Sequence, residues 1–482
     1  MIASIVEQRG TQYPDGEEYF SPSSAYPEYL FDHIARAPNA AYEMAREALR
    51  QAGLDAEHFG SAKWNPLGKY IRPGARVFVL CNFVHHRNPL EGHRAFLSKC
   101  THASVVRAVI DYVLIAAGRE GQVRFGNAPL QSCDWEAVLE QSGAAKLEEF
   151  YAAQSRDVQP RDLRSLVTKR GISGRELTAV NRQPEQVCVT LSRTSALSEL
   201  TNGTAGEPPR FRVADYDARR TEASHRDGQH RYFLAKEILE ADVVVSVPKL
   251  KTHEKVGITC GLKGFVGTVT DKDCLAHHRM GGSDNGGDEY PGSSRLRLLL
   301  ARYHDWMQTL PGGSANRNFQ LVVDRNVRRI VKRLGRVQTG AWYGNDTCWR
   351  MALDLAKIVF FADSNGTIQF SRARRHLSFI DGIIAGEGEG PLKPEPVDGG
   401  VLVFSDDIVL GDQIAARLMG FDPNKIALVR EAAALCDTIG HESRDARIVK
   451  DGAPVCMGSI APVLGRAFKA PSGWRGRIEQ AI

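Results

Sequence analysis

The chain has 482 residues, 25% of them charged and 43% hydrophobic, and its 62 Lys and Arg against 57 Asp and Glu leave a formal charge of +5. This is the composition of an ordinary globular protein, long enough for two or three domains or for one large α/β unit. The charge is small and spread along the chain, without a basic arm or a basic stripe interleaved with aromatics, which argues against a nucleic-acid partner. No run of about eighteen apolar residues predicts a membrane span, and the N-terminus lacks the basic flank and apolar core of a signal peptide. Nine cysteines stand singly at 81, 100, 133, 188, 260, 274, 348, 436 and 456, without a Cys-x-x-Cys pair. That pattern predicts a reducing, cytoplasmic location and contains no iron–sulfur motif.

Residues 1–70 open polar and proline-punctuated, then give an amphipathic helix from Ala40 to Gly53 with Asn39 as its N-cap; they read as an N-terminal arm packing on the core, with the first ten residues disordered. Arg76 to Leu80 is an apolar strand running into the polar loop 81–89, where Asn82 and His85 are candidate site residues and His86 and Arg87 read as surface. A helix over 101–117, capped by Thr101 and stopped before Gly118, leads to a strand at Gln122–Phe125 and the loop 126–134. The order β, α, β predicts a right-handed unit in a doubly wound sheet and sets Asn127 beside Asn82. Helices are expected at Trp135–Gln154 and Asp162–Gly171, then a strand at Gln186–Leu191, and the span 192–209 reads as an insertion covering the site. His225 and His230 read as hydrogen-bonding loop residues, before a helix at Phe233–Glu240.

The segment 241–291 concentrates the chemistry. Asp242 to Val247 is a β-branched run of buried-strand length that Pro248 is expected to end, so Lys249, Lys251, Thr252 and His253 emerge in a strand-end loop, where α/β sheets bind ligands. Gly257 to Gly264 mixes glycines with Thr259, Cys260 and Lys263, which lets backbone N–H groups approach an anion, although no Walker A string is present. Lys255 reads as a solvated surface charge. The adjacent His277 and His278 point to opposite faces of an extended chain, so one of them, His278, is carried as a ligand contact.

Beyond it, a helix at Arg295–Leu310 and a loop at 312–318 precede a basic stretch over 325–336, which reads as a solvated helix face. A long helix follows at Thr347–Phe361, capped by Asp346 or Thr347. The string from Phe379 to Pro391 ends an apolar strand in alternating glycine and glutamate, a tight carboxylate loop suited to a ligand or a metal. Asp381 and Glu387, with Asp412 at the start of the next helix, form its acidic set, with Glu387 and Asp412 as metal-ligand candidates; mere ion pairing with the lysine loop is the competing reading, and for Asp412 a helix cap.

The strings VPKLKTH, GITCGLKGFVGT, KDCLAHHR and GGDEYP resemble the domain-of-unknown-function family numbered 362, whose members carry a Pro-Lys-Leu-Lys-Thr-His loop, a Leu-Lys-Asn turn and a Leu-Pro-His-His string. Weaker likeness runs through residues 210–217, 344–358 and 380–392, and the Gly-Asn-Ala-Pro turn at Asn127 is similar to the family's. Two positions depart from it: Gly264 stands where the family has Asn and Ala276 where it has Pro. Some members carry a fused ferredoxin-like segment, which has no counterpart in these residues. The resemblance implies an α/β core over 71–440, with a C-terminal extension at 441–482, and leaves the activity open.

Together these features predict an α/β protein with a doubly wound, mixed or mostly parallel sheet and a cleft of loops at 81–89, 126–134, 248–264 and 381–391. The expected function is an enzyme acting on an anionic small molecule, a carboxylate, phosphate or sugar derivative. Lys249, Lys251 and Lys263 clamp the anion, Lys251 being carried as catalytic, a desolvated lysine of this loop is also open to Schiff-base formation, and Thr252, Asn82, Asn127 and His278 contact the substrate. His253 serves as general acid/base with Asp381 or Glu387 as its partner. A divalent-metal hydrolase or transferase and a non-catalytic anion-binding protein are the alternatives. No dinucleotide fingerprint or Gly-x-Ser-x-Gly elbow is present; a homo-oligomer is compatible with everything in the sequence.

Overall fold

The computed structural model describes residues 1–480 apart from 172–173, 181–182, 202–209, 214–215, 310–338 and 439–445. The whole basic stretch at 325–336, the loop at 312–318 and residues 202–209 of the covering insertion at 192–209 therefore lie outside the described residues.

Eleven strands form one sheet. They are β1 (Ile2–Glu7), β2 (Arg76–Cys81), β3 (Gln122–Asn127), β4 (Val158–Asp162), β5 (Val243–Val247), β6 (Lys249–His253), β7 (Gly257–Ile258), β8 (Arg375–Glu389), β9 (Lys393–Ser405), β10 (Arg447–Lys450) and β11 (Ala453–Val455). The neighbour order is β11-β10-β1-β9-β8-β5-β2-β3-β4, with β6 pairing on β8 and β7 on β6. The half from β8 through β5, β2 and β3 to β4 is parallel, with Val243, Val77, Val123 and Val158 in register. Their carboxyl ends, where Cys81 and Asn127 lie, therefore share one edge of the sheet. The fold is α/β.

The central strands are apolar without alternation because both of their faces are covered. Val77, Val79, Val243 and Val245 face a core built with the helices Ala40–Gln51 and Ala103–Ala117, whereas Phe78, Leu80 and Val244 face a second core built with the helix Cys348–Phe361. A third cluster joins Ile5, Val401 and Val403 to the helix Ile408–Leu418.

Several local expectations give way to pairing at a distance. Leu166–Gly171 is not helical but forms a hairpin with Gly174–Ala179, and His230–Ala235 pairs with Gln186–Leu191, leaving only Lys236–Glu240 as helix. The helix expected over Trp135–Gln154 breaks at Gly143, whose φ of 80° only glycine adopts without strain. Asn39 does cap its helix, accepting from Tyr42 N, but the cap before Ala103 is His102 rather than Thr101. The Thr101 hydroxyl instead donates to Val247 O at 2.6 Å, tying this helix to β5. The first residues form β1, held between β9 and β10. Pro248 does end β5, but no loop follows: its carbonyl accepts from Asp381 N at 2.8 Å, and Lys249–His253 pairs at once with β8 as the strand β6.

The Gly-Glu string is the end of β8 and not a loop. Its glycines admit neighbouring backbone: a Cβ on Gly386 would lie 2.5 Å from Ser98 O, and one on Gly390 would lie 2.0 Å from Thr252 O. The expected carboxylate loop is a close-packed strand.

Candidate functional site

A cavity of about 520 Å³ opens at the carboxyl ends of β2 and β3. Asn82 to Val84 follow β2, Asn127 ends β3 and leads into Ala128 to Leu130, His253 ends β6 and leads into Glu254 and Lys255, and Pro391 and Leu392 come just after β8. The four strand-end segments thus meet around one space. Thr259, Lys263, Lys272, His277, His278 and Glu289 complete its polar wall, with Phe83, Leu130, Val213, Val266, Leu275 and Met280 among its apolar lining.

Position in the fold explains the electrostatics. Lys263 lies in the last turn of the short helix Cys260–Gly264, and its buried ammonium is held below the ordinary lysine value by desolvation, with the charge of Lys255 adding to that; among the described residues no carboxylate acts on it. Lys272 is buried, donates to Val266 O at 2.6 Å, and is brought down to about 7 by burial. Lys255 donates to Thr339 O. His253 and His277 are both held neutral, far below the usual imidazole range, first by burial and then by the charge of Lys263.

Hydrogen bonds set their tautomers. Lys255 N donates to His253 Nδ1 at 3.1 Å, so the neutral ring of His253 carries its proton on Nε2. His277 Nδ1 lies 2.9 Å from the carbonyl of Leu275, which only accepts, so this ring keeps an unprotonated Nε2. The cavity therefore has one neutral imidazole that donates and one that accepts. Glu289 is the buried carboxyl beside them; desolvation raises it to about 7 against the hydrogen bond from Gly281 N at 3.1 Å.

The residues expected from sequence divide in two. Asn82, Asn127, His253, Lys263 and His278 line the cavity. Lys249, Lys251, Thr252, Asp381, Glu387 and Asp412 do not, and each is engaged elsewhere. Lys249 Nζ lies 2.8 Å from Asp381 Oδ2 and 2.6 Å from the hydroxyl of Tyr13, which itself lies 2.5 Å from Asp381 Oδ1. Both partners of this ion pair are fully buried, so Lys249 is no anion clamp here and Asp381 is not the partner of His253. Lys251 donates to Lys99 O, and burial brings its ammonium down to about 7. Thr252 donates to Gly388 O at 2.8 Å.

The metal assignment also gives way. Glu387 accepts from both terminal nitrogens of Arg466, at 2.8 and 3.1 Å, and from Lys469 N at 2.9 Å. Asp412 lies inside the helix Ile408–Leu418, whose N-cap is Asp407, and accepts from Gly261 N and Leu262 N at 2.7 and 2.9 Å. It caps another helix. The two carboxylates are spent on different partners and share no ligand geometry. Among the described residues, Asp55, Glu57 and His58 alone bring three ligating atoms together, away from the cavity and already joined by a 2.6 Å contact between Asp55 and His58.

Sequence reasoning missed Lys255, Lys272, His277 and Glu289. The rule for surface lysine fails at Lys255 because the chain turns tightly between β6 and β7 and buries it, and the alternation rule fails because both His277 and His278 line the cavity. Lys272, His277 and Glu289 fall within the strings KDCLAHHR and GGDEYP, and that was the available signal.

Comparison with known proteins adds a partial family match but little chemistry. The thylakoid-associated protein sll1697 of Synechocystis sp. is 24% identical over 204 residues, 42% of this chain and 40% of that protein. The match thus spans well under half of the relative's length. No solved structure matches. Residues 190–417, a little under half of the chain, match the model of the family described as Domain of unknown function (DUF362), and that segment supplies Lys263, Lys272, both histidines and Glu289.

Proposed function

We propose that the cavity binds a small anionic molecule and carries out acid/base chemistry on it. The observation that carries this reading is Lys263: a buried ammonium on the cavity wall with no carboxylate of the described residues acting on it and two neutral imidazoles nearby. A buried cation without an anion is costly, and a carboxylate or phosphate on the ligand would supply the missing charge. His253 offers Nε2–H as an uncharged donor, and Glu289, near 7, is the base poised for transfer at neutral pH. Lys255 and Lys272 add positive field at the same wall.

In this reading the clamp keeps Lys263 from the sequence-based set and replaces Lys249 and Lys251 with Lys255 and Lys272. The base becomes Glu289 in place of Asp381. A cytoplasmic, non-spanning protein remains part of the proposal: among the described residues no helix is long and apolar enough to cross a membrane. The name of the Synechocystis relative ties that protein to thylakoids, which makes peripheral attachment the rival outcome of cell fractionation.

The test is a panel of carboxylates and phosphates scored by the rise in melting temperature they cause. Wild type gains stability from at least one class, and Lys263→Met loses roughly 10- to 100-fold in affinity, the worth of a charge-assisted hydrogen bond. Lys251→Met, outside the cavity, binds as wild type does. Equal affinity for wild type and Lys263→Met sinks the proposal. Binding that survives Glu289→Gln, with no turnover of any bound anion by wild type, leaves a binding protein without catalysis.

A further inference from the structure

Three buried side-chain oxygens that can accept a hydrogen bond, on residues lining the cavity, have no partner among the described residues: Asn82 Oδ1, Asn127 Oδ1 and Thr259 Oγ1. All three residues are more than nine-tenths buried, Asn127 with 3% of its surface exposed, Thr259 with 4% and Asn82 with 8%. We infer that the ligand of this cavity is an anion whose apolar body carries N–H or O–H groups, which Asn82, Asn127 and Thr259 read as hydrogen-bond acceptors. This rests on the anion-binding reading above and narrows its ligand class.

Asn127 gives the firmest argument. Its Nδ2 donates to Phe83 O at 2.9 Å. A carbonyl only accepts, so the amide cannot be turned over, and the unpartnered atom is the oxygen. The residue is also held from behind. Ala128 N donates to Gly267 O at 2.6 Å, and Gly267 passes so close that a Cβ there would lie 3.0 Å from Asn127 Cβ. The oxygen is thus fixed in place before any ligand arrives.

Asn82 is fixed through its backbone instead. Its N donates to Thr101 Oγ1 at 3.0 Å and its carbonyl accepts from Thr101 N at 3.3 Å, which leaves the side-chain amide uncommitted. Thr259 sits on the turn between β7 and the Lys263 helix, so an acceptor and the ammonium share one short segment. Natural proteins pair nearly all their buried polar groups, and a group of exceptions around one cavity marks where a ligand supplies the donors. A site built to bond N–H or O–H groups also rejects an analogue that lacks them far more strongly than an apolar pocket rejects a missing methylene. With apolar walls at Phe83, Leu130 and Val266, the matching class is aryl or heteroaryl carboxylates and phosphates bearing a hydroxyl or ring N–H.

The experiment uses two matched pairs of carboxylates on the full chain: 3-phenylpropionate against 3-(4-hydroxyphenyl)propionate, and naphthalene-1-acetate against indole-3-acetate. Within each pair the charge and apolar body are kept and one donor is added. The donor-bearing member of at least one pair is expected to bind wild type about tenfold more tightly, a preference falling to about twofold or less in Asn82→Leu and Asn127→Leu. Asn127→Leu also leaves Phe83 O unpaired and is the riskier variant for folding. Asn82→Leu removes only an unpartnered amide, so its melting temperature should stay level or rise while the preference is lost, a combination that a merely structural asparagine would not give. Equal binding within both pairs, with Lys263→Met weakening all four compounds, overturns the inference and leaves anion binding standing. A preference that persists unchanged in both asparagine variants overturns it equally. If none of the four binds, this inference falls while the anion-binding reading still stands or falls by the wider panel; if Lys263→Met binds them as wild type does, both fall.

Discussion

The carboxylate of Asp412 accepts two backbone N–H groups from the first turn of the helix that carries Lys263, at 2.7 and 2.9 Å. Those bonds favour its charged form, yet burial outweighs them and raises the group to about 7. Unfolded, the same carboxyl titrates near the ordinary value of about 3.9. Between those two values the folded chain holds a proton that the unfolded chain has released, so this residue's contribution to stability is full below about pH 4 and falls away as pH rises to about 7. An asparagine at this position does not titrate. In Asp412→Asn, the unfolding free energy relative to wild type should therefore shift in the variant's favour across that window and level off above it, whatever the absolute cost of the exchange. Urea midpoints at a series of pH values measure this, and a difference independent of pH would show that Asp412 is ionised throughout. The same physics runs the other way for a depressed lysine: Lys251, brought down to about 7 by burial, costs stability that is regained as pH rises from about 7 toward 10.

At the level of single elements, β8 decides which carboxylates remain free for chemistry. Its glycines read from sequence as a tight carboxylate loop around a ligand, and the physical reason they are there is close packing against β6 and the Ser98 turn. Gly386→Ala would push a Cβ to 2.5 Å from Ser98 O and 2.9 Å from Pro394 Cβ, and should cost roughly 2 kcal/mol or more, as overpacked cores do. Gly264 makes the contrast. It has ordinary helical dihedrals, φ −57° and ψ −28°, and open space where a Cβ would go. Gly264→Ala should be neutral or stabilising by up to about 1 kcal/mol, since only backbone entropy changes. Chemical denaturation of the two variants checks both signs at once, and equal effects would mean that β8 is less tightly held than its contacts imply.

The elements that sequence made legible are those whose signal is local: the apolar strands β2, β3 and β5, the helix Ala103–Ala117 between two of them, and hence the edge where Asn82 and Asn127 meet. Elements set by remote partners were misread. Leu166–Gly171 and His230–Ala235 are strands only because hairpin and sheet partners claim them. Lys249 and Asp381 were read as chemistry, with ion pairing as the rival; their register on β6 and β8 decides for pairing. Glu289 had no local signature at all, since a carboxyl is brought near neutral pKa by the burial that tertiary structure imposes.

Across the whole molecule the sheet joins residues from both terminal segments. β1 lies between β9, antiparallel, and β10, parallel, so the hairpin of β10 and β11 reaches the sheet only through Ile2–Glu7. Ala3 and Ile5 are fully buried, and Glu7 pairs with Lys450 at 2.7 Å. Tyr13, a few residues on, closes the buried pair of Lys249 and Asp381. A disordered arm would be dispensable; a strand in this position is not. Removing residues 1–8 strips a row of buried side chains and a double set of ladder hydrogen bonds, a loss on the order of 5 kcal/mol, comparable to the whole stability of many domains. It also bares the edge of β9, the longest antiparallel strand beside β8, and unpaired edges invite association with other chains. The shortened chain is therefore expected to unfold at markedly lower denaturant concentration and to elute from size exclusion partly as aggregate. A restrained control, Ile5→Lys in the full chain, should reproduce the loss of stability by putting a charge into the third core while leaving the strand's backbone to cover β9. If the shortened chain instead keeps the melting temperature of the full one and stays monodisperse, β1 contributes nothing to the sheet and the cavity rests on β2 to β8 alone.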